Sequence, residues 1–205
     1  MPETRKYRIQ YDRMMRWYRR FEEINSLLFL NLPNHFDEGE FFLHALDDIL
    51  AFFLNCYSVK DWIKNDDSLD RAIRNEVEDY VNRFECLRIC ADISNGSKHL
   101  KRDLDRQREK EFLDFRAIFW VSTQDGQIEI EVGSFGAVDN ELINRLSYRS
   151  YENSFSPESE KLSKVIQVHA FAETESEKYS AFDLATACVN CWKLFVEHIE
   201  KSKPL

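Results

Sequence analysis

Glycine and proline are scarce in this chain, which has 5 Gly and 4 Pro among its 205 residues. Because tight turns depend on these two residues, we expect long regular elements joined by few sharp turns. No apolar stretch follows a basic region at the N-terminus, which argues against a secretory signal peptide. The longest apolar region, 41–63, contains charged side chains and is therefore typical of a buried core helix and not of a membrane span. We expect a cytoplasmic protein, outside the membrane, whose 5 Cys are free thiols.

The motifs of several common enzyme classes are also absent. The sequence has no Gly-rich phosphate-binding loop, no Gly-x-Ser-x-Gly elbow and no His-Glu-x-x-His. Nothing therefore indicates nucleotide hydrolysis or nicotinamide chemistry, and we expect no cofactor. The formal net charge of −9 argues against a protein that coats nucleic acid, since an acidic surface repels it. Two stretches, 5–20 and 98–110, are nevertheless rich in Lys and Arg, which fits either a solvated helix face or a local nucleic-acid contact.

Apolar residues at helical spacing predict four helices. A hydrophobic content of 43% with 16 Phe supplies one core, and the length does not require a second, so residues 1–205 are expected to form a single domain. The helix predicted over 37–64 is apolar on about three quarters of its circumference, which indicates a central position among the others. The four predicted helices are 5–30, 37–64, 70–94 and 180–201.

After the charged stretch the apolar period changes to two. Two strands, 117–121 and 128–132, flank the turn sequence Thr123-Gln124-Asp125-Gly126, and a third strand is predicted over 165–172. The polar segment 134–163 is expected to be an irregular insertion with a short helix over 139–147. The predicted fold class is α+β and mostly α. A helical core (5–110) is followed by a small antiparallel sheet (115–173), which is inserted before the C-terminal helix (180–201).

The third predicted helix carries an apolar face that becomes polar towards its C-terminal end. If the helix continues past residue 94, a rotation of about 100° per residue places five polar side chains within about 80° of the direction of Val77. Buried polar groups must be paired. This face therefore predicts either a ligand-binding or catalytic site, or a hydrogen-bond network that fixes helix packing. The five residues are Arg88, Asp92, Asn95, Lys98 and His99.

Antiparallel packing of the second and third helices would add two residues to this group. A hairpin centred near residue 66 places the start of the second helix, with His44 and Asp48, opposite the polar end of the third. The combined cluster would contain proton donors, proton acceptors and an anion-binding Arg.

Four of the cysteines occur as two close pairs, Cys86 with Cys90 and Cys188 with Cys191. Together they have the ligand types of a zinc site. However, both pairs lie within predicted helices near apolar stripes, where a free Cys behaves as a small hydrophobe, and zinc sites usually place such pairs on loops. We therefore expect no metal. A redox role for Cys188 and Cys191 is also disfavoured, because redox cysteines lie at the start of a helix, where the helix dipole lowers the thiol pKa.

Two segments, 56–63 and 89–100, carry a resemblance to known proteins. The second contains Asp92-Ile-Ser-Asn95-Gly-Ser-Lys98-His99. Residues 37–100 resemble a group of uncharacterised bacterial proteins with an Asp-x-x-Asn-x-x-Lys-His signature. The helical core of that group is similar to the HEPN superfamily of helical-bundle domains.

The HEPN resemblance implies a metal-independent ribonuclease that acts as a dimer, often in toxin or defence systems. It implies that His99 is the general acid or base, that Arg88 or Lys98 holds the phosphate, and that Asn95 orients the groups. In the family pattern the Arg and the His are about four to six residues apart. Here Arg88 lies eleven residues before His99, and Arg102 follows it.

The alternative function is a non-enzymatic protein-interaction or regulatory module. The acidic surface, the polar insertion and the aromatic residues of the first helix are all suited to binding a protein partner. Those aromatic residues are Tyr7, Tyr11, Trp17 and Tyr18. The expected partners are thus RNA, another protein or a second copy of the chain.

Overall fold

The computed structural model describes residues 5–26, 38–98, 112–123, 126–134, 165–174 and 177–202. Within these ranges the fold class is α+β and mostly helical, with an antiparallel sheet before the C-terminal helix, as the sequence predicts. The helices are α1 (Lys6–Ser26), α2 (Glu38–Lys64), α3 (Arg71–Arg83), α4 (Glu85–Lys98) and α5 (Ala181–Lys201). The strands are β1 (Phe112–Thr123), β2 (Gly126–Ser134), β3 (Val165–Thr174) and β4 (Lys178–Ser180).

Helix α2 is the centre of the bundle. It packs against α1, α3, α4 and α5, which confirms the central position predicted from its wide apolar face. Its side chains Ile49, Phe52 and Phe53 are fully buried. Charged side chains such as Asp48 interrupt its apolar sequence. Among the helices of the described ranges, none combines the length and the apolar character that crossing a membrane requires.

Helix α1 lies against α2 through its aromatic residues. Tyr7 is buried, and Tyr11, Trp17 and Tyr18 are partly buried against the same core. The aromatic residues that made the first helix a candidate partner surface therefore contribute to the protein's own core. The predicted extension of this helix to residue 30 lies outside the described residues.

The prediction of one continuous helix over 70–94 is wrong at Phe84. This residue is extended (φ −104°, ψ 121°) and separates α3 from α4. In a continuous helix, Ile89 and Cys90 would point about 120–140° away from Val77, because each residue turns the direction by about 100°. All three side chains are nevertheless fully buried. The break at Phe84 reorients the chain so that α3 and α4 each turn a different face to the core.

The four strands form one antiparallel sheet in the order β2-β1-β3-β4. The predicted hairpin is confirmed, with Thr123 opposite Gly126, and the strand predicted over 165–172 is confirmed as β3. The sequence did not predict β4, whose three residues are too few to produce a recognisable period of two. The predictions for 134–163, including a helix over 139–147, fall outside the described residues from 135 onwards.

Strand β3 packs against α5 and α1, and the bundle is also contacted by β2 at α2, by β1 at α4 and by β4 at α5. The buried residues at this contact include Ala170 and Ala172. Small side chains at alternate positions bring the strand close to the helices. The chain then reaches α5 through β4, and the Ser180 hydroxyl caps the helix by accepting a hydrogen bond from the Asp183 N–H.

Candidate functional site

The residues of the predicted polar site lie along and beyond α4. Arg88, Asp92 and Asn95 share one face of this helix because they are four and three residues apart. Asp92 is only 2% exposed, whereas Arg88 and Asn95 are half-buried. Lys98 is the last residue of α4, and its side chain lies outside the described part, as does the whole of His99.

Arg88 and Asp48 make contacts that differ from those of the predicted cluster. The Arg88 Nη1 donates a hydrogen bond to the Asn82 carbonyl at 3.0 Å, so its guanidinium reaches back to the end of α3. Asp48 accepts hydrogen bonds from the Nε and Nη2 of Arg20 at 3.1 and 2.8 Å, which ties the carboxylate to α1. His44 is exposed on the surface of α2. The structure therefore groups Arg88, Asp92 and Asn95 on one helix and pairs Asp48 with a residue that the sequence did not predict.

The five cysteines, all of which belong to the described residues, lie together in one cluster of reactive side chains. One comes from α2 (Cys56), two from α4 (Cys86 and Cys90) and two from α5 (Cys188 and Cys191). All are free thiols. Contacts between their sulphur atoms join the three helices into one group, which we call the thiol cluster. It has a buried half and an outer half.

The buried half consists of Cys56, Cys90 and Cys188, each 0% exposed. Their three Sγ atoms all lie within 4.8 Å of one another. The Cys90 thiol also donates to the Phe53 carbonyl at 3.5 Å. Next to this half is Trp192, which is fully buried and whose Nε1 makes no regular hydrogen bond.

The outer half is the pair Cys86 and Cys191, whose Sγ atoms are 3.6 Å apart. Cys86 is half-buried, and Cys191 is 8% exposed. The backbone around the pair is fixed by side chains from both sides. The Cys188 thiol donates to the Cys86 carbonyl at 3.2 Å, and the Tyr80 hydroxyl donates to the Cys191 carbonyl at 2.7 Å.

Hydrogen bonding divides the outer pair into an acidic thiol and a proton donor. Hydrogen bonds from the thiols of Cys188 and Cys191 lower the pKa of Cys86 to about 4, and they outweigh the opposite effect of burial. Donation to Cys86, together with burial, raises the pKa of Cys191 far above its usual range. Within the pair, Cys86 is therefore the thiol that loses its proton more readily, and Cys191 is the proton donor.

In the buried half, the Cys56 sulphur is the hydrogen-bond acceptor. Burial raises its pKa, but hydrogen bonds from Cys188 and Cys90, together with the nearby Trp192 Nε1–H, outweigh burial and lower the pKa to about 6. Burial raises the pKa of Cys90 and of Cys188 well above the usual value. Because each thiol carries one proton, Cys188 can donate to only one of its three acceptors at a time: the Cys56 sulphur, the Cys86 sulphur or the Cys86 carbonyl. The hydrogen bonds therefore favour negative charge at Cys56 or Cys86 over the other three cysteines.

The positions of four of these cysteines within predicted helices favour a place in the core over a metal or redox site. Cys56 is isolated on α2, so no spacing rule connects it with the two pairs. The break at Phe84 was not predicted either, and it places Cys86 in the first turn of a new helix. The helix start that a redox cysteine requires is therefore present at Cys86, although it is absent at Cys188. A signal that was available is that all five cysteines lie within three predicted helices that are expected to pack together.

Comparisons with protein-family models, with curated proteins and with solved structures found no match.

Proposed function

We propose that this protein is a thiol-based redox protein in which Cys86 attacks a hydroperoxide and Cys191 resolves the product into a disulfide. The observation that carries the proposal is the 3.6 Å separation of the two Sγ atoms. A disulfide has an S–S distance of about 2.05 Å, so a shift of about 1.5 Å would allow the bond to form. The partner side chains belong to different helices, α4 and α5, so the bond would link two elements of the bundle.

The position of Cys86 supports its role as the attacking group. The N–H groups of Leu87 and Arg88 both donate to the Phe84 carbonyl at 3.1 Å, which makes this the first turn of α4. The positive end of the helix dipole stabilises a thiolate there. Cys86 is also the cysteine of the cluster with appreciable exposure, so a small oxidant can reach it.

The chemistry would proceed in two steps. The Cys86 thiolate attacks the outer oxygen of the hydroperoxide, the O–O bond breaks, and Cys86 becomes a sulfenic acid while an alkoxide leaves. The Cys191 sulphur then attacks the Cys86 sulphur, and the sulfenic hydroxyl leaves as water with the Cys191 proton. Two cysteines lose two electrons in total, and one hydroperoxide is reduced to an alcohol and water. Reduction by a low-molecular-weight thiol would restore the pair.

The test is treatment of the folded protein with one equivalent of a hydroperoxide. We expect intact mass spectrometry to show a loss of two hydrogen atoms, and non-reducing peptide mapping to assign the bond to Cys86 and Cys191. In Cys191→Ala the sulfenic acid should persist at Cys86 and be trapped by a dimedone-type reagent. Cys86→Ala should remain unmodified. A wild-type protein that resists oxidation, or one whose bond joins another pair, would contradict the proposal.

A second candidate function is RNA cleavage by a dimer, as the HEPN resemblance implies. We propose it because a 2% exposed carboxylate, Asp92, lies on the same face of α4 as Arg88 and Asn95, directly before Lys98 and His99. In this function His99 acts as the acid or base and the nearby cations hold the phosphate. Activity of this kind would suit an effector of a toxin or defence system.

His99→Ala is expected to reduce cleavage of a mixed RNA substrate by about a hundredfold or more, the usual contribution of a general acid or base. His198→Ala is the matched control, because His198 is a half-exposed histidine on α5 that pairs with Glu76 at 3.4 Å. The control should cleave as the wild type does. Equal cleavage by the His99 variant, or no cleavage by the wild type, would eliminate this candidate and leave the redox proposal untouched.

A further inference from the structure

Three thiols in the helical core are fully removed from solvent. Cys56, Cys90 and Cys188 come from three different helices, and their Sγ atoms lie within 4.8 Å of one another. The redox proposal uses none of the three as a reacting group. Small hydrophobic residues such as Ala or Val could fill the same space without a sulphur atom.

The spacing of these sulphur atoms fits the coordination shell of a metal ion. Zinc–thiolate bonds are about 2.3 Å long, which places tetrahedral ligands about 3.8 Å apart. Three sulphur atoms within 4.8 Å therefore need only small shifts to share one ion. From this geometry we infer that Cys56, Cys90 and Cys188 bind a thiophilic metal ion, Zn²⁺ or Cu⁺, in the core of the bundle.

Trp192 provides a second and independent observation. Its side chain is 0% exposed, and its Nε1 is a buried nitrogen without a regular hydrogen-bond partner. A buried N–H without an acceptor is costly, because it has lost its hydrogen bonds to water. The Cys56 sulphur is the acceptor beside it. A metal-bound thiolate accepts a hydrogen bond far better than a thiol does, so metal binding would satisfy this indole.

The fourth ligand distinguishes the two ions. Cu⁺ is satisfied by three thiolates, whereas Zn²⁺ takes four ligands in protein sites. The neighbouring thiol is Cys86, which is hydrogen-bonded to Cys188 but lies outside the tight group of three. Zn²⁺ would therefore recruit Cys86, and Cu⁺ would not.

The experiment titrates reduced wild-type protein with Zn²⁺ alone and, anaerobically, with Cu⁺ alone, against a competing chelator. We expect one equivalent of at least one ion to bind and to raise the melting temperature, since binding to the native state stabilises it. Cys90→Ser should weaken that binding at least a hundredfold. Cys191→Ser is the matched control, because this cysteine is not a ligand, and it should bind as the wild type does. Cys86→Ser should lose Zn²⁺ binding but keep Cu⁺ binding.

The outcomes separate this site from the redox pair. Cys191→Ser removes the disulfide and spares the metal, whereas Cys90→Ser removes the metal and leaves Cys86 and Cys191 able to form their disulfide. A wild-type protein that binds neither ion overturns the metal site, whether or not the variants fold. Undiminished binding by a folded Cys90→Ser variant, checked by circular dichroism, overturns it as well.

Discussion

Phe52→Ala is expected to lower the free energy of unfolding by about 3–5 kcal/mol, the usual cost of removing a buried aromatic ring. Phe52 is 0% exposed, and its ring lies 5.5 Å from that of Phe21 on α1 and 5.1 Å from that of Phe53. Truncation loses this contact and leaves a cavity that the rigid neighbouring rings cannot fill. Because domains are commonly stable by about 5–15 kcal/mol, the loss is a large share of the total. Urea denaturation with an unchanged m value measures it.

Leu194→Ala is the matched control for this change, since Leu194 is 60% exposed on α5. Its effect should stay within about 0.5 kcal/mol. Phe52 also lies one helical turn before Cys56, so the weakened core should expose the buried thiols to a thiol reagent more often under native conditions. A loss below about 1 kcal/mol for Phe52→Ala would show that the contact between α1 and α2 is packed differently from this structure.

Hydrophobic periodicity was enough to predict most of the bundle. Tyr7, Met14 and Phe21 follow a helical period on α1, and all three are buried. The change to a period of two predicted the hairpin and β3 for the same reason, since each pattern reports which side chains face the core. These features are local, so one stretch of sequence contains all the information that they require.

The thiol cluster could not be predicted in the same way, because it depends on how separate elements meet. The side-chain directions predicted from Val77 require one continuous helix. Phe84 is extended and ends α3, so a different set of α4 residues faces the core. Cys56 and Cys188 are brought together only by the packing of α2 with α5. No spacing rule along the sequence contains that contact. The directions predicted for the polar residues of α4 depended on the same assumption. Asp48 is paired with Arg20 of α1.

The turn between α2 and α3 contains a buried carboxylate. Asp66 is 1% exposed. Its Oδ2 accepts a hydrogen bond from the Tyr7 N–H at 2.9 Å, and its Oδ1 accepts from the N–H and the hydroxyl of Ser68 at 3.0 and 2.6 Å. One side chain therefore ties the start of α1 to the turn that precedes α3.

Asp66→Asn is expected to lower the free energy of unfolding by about 2–3 kcal/mol, because the amide NH₂ replaces one accepting oxygen and opposes a buried donor. Asp67→Asn is the matched control. The Asp67 side chain is 81% exposed in its contacts with Lys6 and Arg74, so its loss should cost less than about 1 kcal/mol. Equal effects of the two substitutions would contradict the buried role of Asp66.

The same substitution should also change how stability depends on pH. Burial raises the pKa of Asp66, but the hydrogen bonds from Ser68 and Tyr7 outweigh it and hold the pKa below its usual range. A carboxylate with a depressed pKa in the folded state contributes stability above its unfolded pKa and loses it as the pH falls through the folded value. The difference between wild type and Asp66→Asn should therefore be constant above about pH 5 and shrink below about pH 4, as measured by urea denaturation across that range. A difference that stayed constant down to pH 2 would mean that the ionised carboxylate is not the stabilising group.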